Sequence, residues 1–115
     1  MRYMLLLYVE DRPSPDTPEA ARFFSALIDY HRTCRERGVL VASDPLLEPA
    51  SASTIRVRGG RVLRTDGPFA ETTEWLGGYF ILECRDVDEA LELAALCPTA
   101  QNGSVEVRPI MEGGA

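Results

Sequence analysis

The chain has 115 residues, a length that suits one domain with one hydrophobic core. Hydrophobic residues make up 45% of the sequence, which is typical of a globular protein rather than of a disordered chain. The formal net charge is −6, and this argues against nucleic acid and anionic membranes as partners, because both attract basic surfaces. We therefore predict a single domain over residues 1–115, with neither nucleic acid nor membrane among its partners.

The cysteines indicate a reducing compartment. Cys34, Cys84 and Cys97 lie far apart and form no CxxC pair, a pattern typical of buried, reduced thiols. The apolar run Met4–Val9 is short, lacks a small-residue cleavage site and is followed at once by two acidic residues, so we do not expect a signal peptide. No apolar run approaches the length of a membrane span. These features predict a cytoplasmic protein.

The first third of the chain predicts a strand, a helix and a second strand. Arg2–Val9 is short, rich in Leu, Tyr and Val, and apolar on both of its alternating faces, which favours a strand covered on both sides. Thr17 is suited to cap a helix over residues 18–37, in which apolar positions recur at helical spacing. These positions are Ala20, Phe23, Phe24, Leu27, Ile28, His31 and Cys34. Val39–Ala42 predicts a short strand.

A hairpin is predicted next, because Thr54–Arg58 and Arg61–Thr65 flank a two-residue Gly-Gly turn. Ile55 and Val57 are expected to face the core. Four arginines also lie on this hairpin: Arg56, Arg58, Arg61 and Arg64. They form either a patch that binds an anion or a partner, or a solvated edge whose charges prevent edge pairing. In the second interpretation, Glu71 and Glu74 are the expected ion-pair partners.

The last third predicts a strand, a helix and a strand. Tyr79–Cys84 is an apolar strand without clean alternation, and Asp86 with Glu89 forms a capping-box pattern for a second helix. The expected buried stripe of that helix consists of Val87, Ala90, Leu91 and Ala94. Pro98 ends the helix, and Ser104–Ile110 is the last strand.

Without the hairpin, the element order is βαββαβ, which is the ferredoxin-like α+β order. In that topology Arg2–Val9 and Tyr79–Cys84 are the central strands, and these are the two strands that are apolar on both faces. Two helices cover only one face of the sheet. We therefore predict a homodimer in which a second subunit covers the other face.

The least generic stretch is residues 66–74, which read DGPFAETTE. Asp66-Gly67 is a turn signal, and Pro68 restricts the backbone of the residue before it. We expect Gly67 to adopt a positive φ. Gly77-Gly78 follows and is expected to act as a hinge that closes the segment.

Residues 66–72 (DGPFAET) and Gly77-Gly78 followed by Tyr79 resemble the DGPF branch of the YCII-related family. The resemblance extends to residues 2–6 (RYMLL), 38–40 (GVL), 88–91 (DEAL), 97–98 (CP) and 105–109 (VEVRP), so it covers nearly the whole chain. It implies a dimeric ferredoxin-like α+β barrel.

The resemblance also carries functional expectations. Proteins of the wider family are thought to use a dyad of a histidine on the first helix and an aspartate before a proline at the end of the second. The histidine here is His31, but Cys97 stands before Pro98, so Asp66 would have to supply the carboxylate. One branch has a dehydrochlorinase-like activity on chlorinated hydroxyquinones. Some DGPF members are associated with extracytoplasmic-function sigma factors.

The candidate catalytic residues are Asp66, His31 and Glu71. His31 is the only histidine, so any histidine-dependent proton transfer must use it. Asp66 and Glu71 belong to a constrained cluster of ionisable groups, in which desolvation beside an aromatic ring would raise a carboxyl pKa. The alternative is structural: Asp66 bonds its own turn, Glu71 bonds a backbone amide, and His31 packs at the core.

The candidate substrate-binding residues are Phe69, Tyr30 and Arg108, and Phe69 is alternatively a packing or interface residue. One histidine and three scattered cysteines do not offer metal-ligand spacing, and no phosphate-binding glycine loop is present. We predict no metal and no cofactor. Two functions stay open: an enzyme or binding protein for a small molecule, and a non-catalytic dimeric regulatory module linked to sigma-factor systems.

Overall fold

The computed structural model describes residues 1–10 and 16–112. The strands are β1 (Arg2–Val9), β2 (Leu40–Pro45), β3 (Ser53–Arg58), β4 (Arg61–Asp66), β5 (Trp75–Glu83) and β6 (Ser104–Pro109). The helices are α1 (Pro18–Glu36), α2 (Val87–Leu96) and α3 (Thr99–Asn102), and a single 3-10 turn covers Pro49–Ser51.

Four strands form an antiparallel sheet in the order β2-β5-β1-β6, and β3 and β4 form a separate two-stranded sheet. The fold is α+β, and the order of the four core strands is that of a ferredoxin-like sheet with an inserted hairpin, as predicted. The two central strands are β1 and β5, the same two that are apolar on both faces.

Both long helices begin at the predicted caps. The Thr17 hydroxyl accepts a hydrogen bond from the Ala20 amide at 3.3 Å, and Pro18 follows as the first helical residue. The Asp86 carboxylate accepts from the Glu89 amide at 2.9 Å, while the Glu89 side chain accepts from the Arg85 amide. The short helix α3, which starts directly after Pro98, was not predicted.

The core lies between the helices and one face of the sheet. Its largest fully buried side chains are Leu5, Leu82, Leu93, Thr99, Cys34 and Cys97. All three cysteines are free and buried, and burial raises the pKa of each thiol. Their burial confirms the prediction from the sequence.

The predicted stripe of α2 is partly wrong. Ala90 and Ala94 are buried, but Val87 is 45% exposed and Leu91 is 50% exposed, while Leu93 is fully buried. The buried stripe is therefore rotated towards Leu93, because helical spacing fixes which residues share a face but not which face meets the sheet.

The prediction that Ile55 and Val57 face the core is also wrong. Their side chains are 56% and 57% exposed. Among the described residues the two strands of the hairpin pair with each other and with no other strand, so neither face of the hairpin is held against the core. Two residues of the predicted ion pairs between the hairpin arginines and Glu71 or Glu74 have other partners. Arg64 pairs with Asp66 at 3.5 Å, and Glu74 accepts a hydrogen bond from the Ser104 hydroxyl.

The centre of the helix-free face of the sheet is apolar, whereas Asp44 of β2 and Glu106 and Arg108 of β6 bring charged groups to its two edges. Along β1, the residues that point towards the helices are buried, whereas the alternating residues Met4, Leu6 and Tyr8 remain half-buried. Ile81 of β5 lies opposite Met4 and is also half-buried. We call this surface the open sheet face.

Candidate functional site

A cavity of about 270 Å³ lies between α1 and the helix-facing side of the sheet. Apolar side chains form most of its wall. Those from the sheet are Leu7, Val9 and Phe80, and those from α1 are Phe23, Phe24, Leu27 and Ile28. Because Phe24 and Ile28 are 38% and 61% exposed, the cavity opens to solvent beside α1.

Glycines in β5 make room for this cavity. Gly78 pairs with Leu7 of β1 and Pro45 of β2, in a position where a side chain would point towards α1. A Cβ atom there would lie 3.0 Å from the Asp44 carbonyl oxygen, so the neighbouring backbone leaves little space for one. Gly77-Gly78, which we expected to be a hinge, instead forms part of β5 and of the cavity wall.

Three polar side chains lie along the helix-facing wall: His31, Ser43 and Thr99. The His31 ring is half-buried, with its centroid 6.3 Å from that of Phe80. Ser43 pairs with Phe80 and therefore shares its side of the sheet. Thr99 is 1% exposed, and in the described part of the chain its hydroxyl has no hydrogen-bond partner.

The other ionisable groups in the wall, those of Asp44 and Tyr79, bond to each other. The Tyr79 hydroxyl donates to Asp44 Oδ2 at 2.7 Å, and this bond raises the pKa of the tyrosine. Asp44 and Tyr79 are paired one position away from Ser43 and Phe80, so strand alternation turns their side chains towards the open sheet face. Among the described residues of the wall, His31 is thus the ionisable side chain on the cavity side.

The DGPF run occupies a different place, at the base of the hairpin. Asp66 and Glu71 line a second cleft with Trp75, and Asp66 is highly exposed and paired with Arg64. Phe69 is 78% exposed and lies under the Arg56 guanidinium, 5.2 Å from the ring centroid.

The remaining two candidates lie elsewhere. Tyr30 is buried in the core, where its hydroxyl donates to the Leu93 carbonyl at 2.7 Å and burial raises its pKa. Arg108 is on β6, opposite Met4, and its Nε lies 3.6 Å from a Glu106 carboxylate oxygen. The structure therefore distributes the six sequence candidates over four locations, and of these only His31 lies in the wall of the apolar cavity.

Two polar residues of the cavity, Ser43 and Thr99, were missed. Ser43 lies in the part of β2 that follows Ala42, where we expected the strand to end. Thr99 begins the helix that was not predicted. The positions of Ser43 and Thr99 in the cavity wall follow from how neighbouring elements pair and pack. The local sequence around each residue carries no signal for that position.

Within residues 1–10 and 16–112, no three His, Cys, Asp or Glu side chains are grouped so that they would hold a metal ion. Over the same residues, none of the helices has the length and apolarity needed to cross a membrane.

The backbone of the DGPF run supports a stability prediction. Gly67 has φ +111°, which confirms the expected positive φ, and a Cβ atom added there would have no atom within 4 Å outside its immediate neighbours. Its amide donates to Ala52 O at 2.7 Å, and its carbonyl accepts from the Thr54 hydroxyl. Gly67→Ala should therefore destabilise the protein by about 1 kcal/mol or more through backbone strain alone. Chemical denaturation measures this, and an unchanged midpoint would contradict the prediction.

The sequence model of the YCII-related domain matches residues 1–113. The chain belongs to the YCII-related family. This YCII-related chain is 34% identical over 114 residues to an uncharacterised protein of Rhizobium meliloti (strain 1021), covering 96% of the chain and 92% of the relative.

Among solved structures, the chain is similar to the 5-chloro-2-hydroxyhydroquinone dehydrochlorinase TftG of Burkholderia phenoliruptrix AC1100, in complex with 2,5-dihydroxybenzoquinone. The likeness covers 98% of this chain and 96% of the dehydrochlorinase, with a TM-score of 0.53 and 16% identity. At this identity it shows a shared fold and no more.

Proposed function

We propose that this YCII-related protein binds a small ring compound in the cavity under α1, and that His31 transfers a proton to or from it. The observation that carries the proposal is the position of the chain's single histidine in the wall of an apolar cavity. A concave apolar site with a few convergent polar groups is the usual form of a small-molecule site, and histidine is the commonest general acid or base.

The size of the cavity restricts the ligand. Pockets for drug-sized ligands begin at roughly 300 Å³, so a volume of about 270 Å³ suits a single ring with small substituents. The dehydrochlorinase of similar fold acts on a hydroxylated, chlorinated ring and was solved with a dihydroxyquinone. We take a hydroxylated aromatic or quinone-like ring as the ligand class for this chain.

We assign the proton transfer to His31 rather than to Asp66 or Glu71. Both carboxylates lie in the second cleft at the hairpin base, away from the apolar cavity, and Asp66 is paired there with Arg64. The Asp66 side chain is well exposed, so its carboxylate stays in contact with water instead of being enclosed with a ligand. Phe69, Tyr30 and Arg108, proposed from the sequence to bind substrate, likewise lie outside the cavity wall.

We further propose that the protein is a cytoplasmic homodimer of the DGPF branch. Residues 66–72 carry the DGPF motif, and the three free, buried cysteines suit a reducing compartment. The half-buried apolar side chains of the open sheet face support a second subunit there, because burying them stabilises an interface.

A second candidate is a non-catalytic regulatory or interaction module associated with sigma-factor systems. The hairpin favours it, because exposed Ile55, Val57 and Val62 combine with four arginines on a ribbon whose two strands pair with no other strand of the described residues. Such a ribbon has little stability without a packing partner.

The proposed function predicts that His31→Gln slows turnover of a hydroxylated ring compound, with a loss of about 100-fold or more in kcat/KM and little change in KM. A screen of single-ring phenols, hydroquinones and chlorinated analogues, read by melting temperature and then by absorbance, identifies the substrate.

Arg35→Gln is the matched control, because Arg35 lies one turn further along α1 with its side chain exposed. Full activity of a well-folded His31→Gln protein would refute the role of His31. If no ring compound shifts the melting temperature, the interaction-module candidate is favoured instead.

A further inference from the structure

We propose that the ring bound in the cavity carries an uncharged apolar chain, and that this chain leaves the cavity over Phe24 and Ile28. This inference rests on the proposed function, because it concerns the same cavity. It narrows the ligand from hydroxylated rings in general to hydroxylated rings with an alkyl substituent, and it assigns the binding of that substituent to two residues of α1.

Phe24 and Ile28 are large apolar side chains that α1 leaves in contact with solvent. Phe24 is 38% exposed and Ile28 is 61% exposed, and both line the cavity. They are four residues apart, so they lie on neighbouring turns of one side of the helix. We call the surface formed by Phe24 and Ile28 the mouth. Scattered apolar residues are common on protein surfaces, but a pair at the opening of an apolar cavity is typical of a surface that a ligand or a partner covers.

The mouth lies beside the core-packing side of α1 and does not belong to it. The buried residues of the helix are Ala20, Tyr30 and Cys34, which recur along one stripe. Phe24 and Ile28 lie on the flank of that stripe, on the side of the helix that borders the cavity. Helix packing in the core therefore does not require a large apolar side chain at either position.

A second subunit does not account for the exposure of the mouth. The proposed dimer forms through the open sheet face, whereas α1 lies on the opposite side of the sheet, above the buried residues of β1. A dimer of that kind leaves the mouth uncovered. Because the mouth is continuous with the cavity, the ligand of the cavity is the occupant that the structure favours.

The spacing along α1 gives the length of the chain. His31 is three residues beyond Ile28 and seven beyond Phe24, which corresponds to about 4.5 and 10.5 Å along the helix axis. The reacting ring lies beside His31, and a single ring covers about half of the distance to Phe24. Since a carbon–carbon bond is about 1.5 Å long, a chain of about four carbons covers the remainder.

The wall of the cavity offers no ionic partner for a charged chain. Asp44 and Tyr79, which also belong to the wall, bond to each other at 2.7 Å with their side chains turned towards the open sheet face. On α1, Arg32 pairs with Asp29 at 3.2 Å. A charged group at the end of the chain would lose water against an apolar surface without compensation, which costs free energy. The mouth therefore selects an uncharged chain.

The test compares phenol, 4-butylphenol and 4-(4-hydroxyphenyl)butanoate, with dissociation constants measured by calorimetry. The last two compounds carry chains of equal length, and only the butanoate is charged. We expect the wild type to bind 4-butylphenol about 15-fold more tightly than phenol, because a methylene group covered on one side contributes about half of the effect of a fully buried one. The butanoate should bind no more tightly than phenol.

The variants are Phe24→Gln, Ile28→Gln and the two combined. Glutamine is a good helix former, and both positions are exposed, so the variants should fold and melt like the wild type. In the double variant the advantage of 4-butylphenol over phenol should fall from about 15-fold to about twofold, with intermediate values in the single variants. Leu91→Gln is the matched control, because it makes a similar change at a 50% exposed position on α2, outside the cavity wall, and it should keep the full advantage.

The outcomes separate the two proposals. If the wild type binds phenol but gains nothing from the butyl chain, or if the gain persists in the double variant, the role of the mouth is wrong while the cavity remains the binding site. A butanoate that binds as tightly as 4-butylphenol would overturn the selection of an uncharged chain. If the wild type binds neither phenol nor 4-butylphenol, both the proposed function and this inference fail.

Discussion

Gly103→Ala is expected to destabilise the protein by about 3 kcal/mol or more, which corresponds to a fall of roughly 10 °C in melting temperature for a domain of this size. Gly103 lies between α3 and β6, where its amide donates to Thr99 O at 2.8 Å. A Cβ atom at this position would lie 2.1 Å from the Tyr8 carbonyl oxygen. No real structure tolerates such a contact, so β6 or α3 must move away from β1.

The cost is high because the obstructing atoms belong to backbone. The Tyr8 carbonyl carbon and Val9 Cα would lie 3.1 and 3.2 Å from the added methyl group. Both belong to β1, a central strand paired on both edges, which cannot shift without disturbing β5 and β6. A flexible side chain would rotate away at little cost, but a paired strand cannot.

Gly60→Ala is the matched control, because it adds the same atom in the hairpin turn. Nothing lies within 4 Å of a Cβ there, and only the positive φ of +75° opposes the substitution, at a cost of about 1 kcal/mol. Thermal unfolding of both variants makes the comparison. A Gly103→Ala protein as stable as Gly60→Ala would show that β6 repacks freely against β1.

The fold was largely predictable because its signals are local. Alternation, helix caps and turn glycines identify β1, α1, the hairpin and α2, and the double-sided apolar pattern of β1 and β5 indicated the order of the sheet. The errors concern positions that depend on packing. Ile55 and Val57 alternate as core residues do, yet alternation does not say whether a hairpin has a core to face.

The cavity was not predictable in the same way. His31 was identified because it is the only histidine, but its neighbours Ser43 and Thr99 come from β2 and α3, which are far from it in sequence. The DGPF run was predicted to supply catalytic carboxylates because its sequence constrains the backbone. In the structure the Gly67 amide donates to the Ala52 carbonyl, and the Gly67 carbonyl accepts from the Thr54 hydroxyl. The constrained backbone of the run therefore fixes the base of the hairpin.

The second large effect concerns the open sheet face, where we expect Ile81→Glu to prevent dimerisation. Ile81 lies on central strand β5, between Met4 of β1 and Ala42 of β2. In a dimer formed through this face, a glutamate there would be a buried charge without a partner, which is among the costliest of substitutions. We expect the dissociation constant to rise by a factor of about 1,000 or more, equivalent to roughly 4 kcal/mol.

The variant separates the dimer from the fold, because Ile81 is half-buried in the single chain and points away from the core beneath the helices. The isolated Ile81→Glu subunit should therefore keep its helix content while sedimenting as a monomer at micromolar concentration. Leu91→Glu is the control, since it introduces the same charge at a 50% exposed position on α2 and should remain dimeric.

A monomeric wild type would eliminate the proposed dimer, and a dimeric Ile81→Glu protein would place the interface elsewhere. In that second case, the exposed apolar face of the hairpin, formed by Ile55, Val57 and Val62, is the surface to test next.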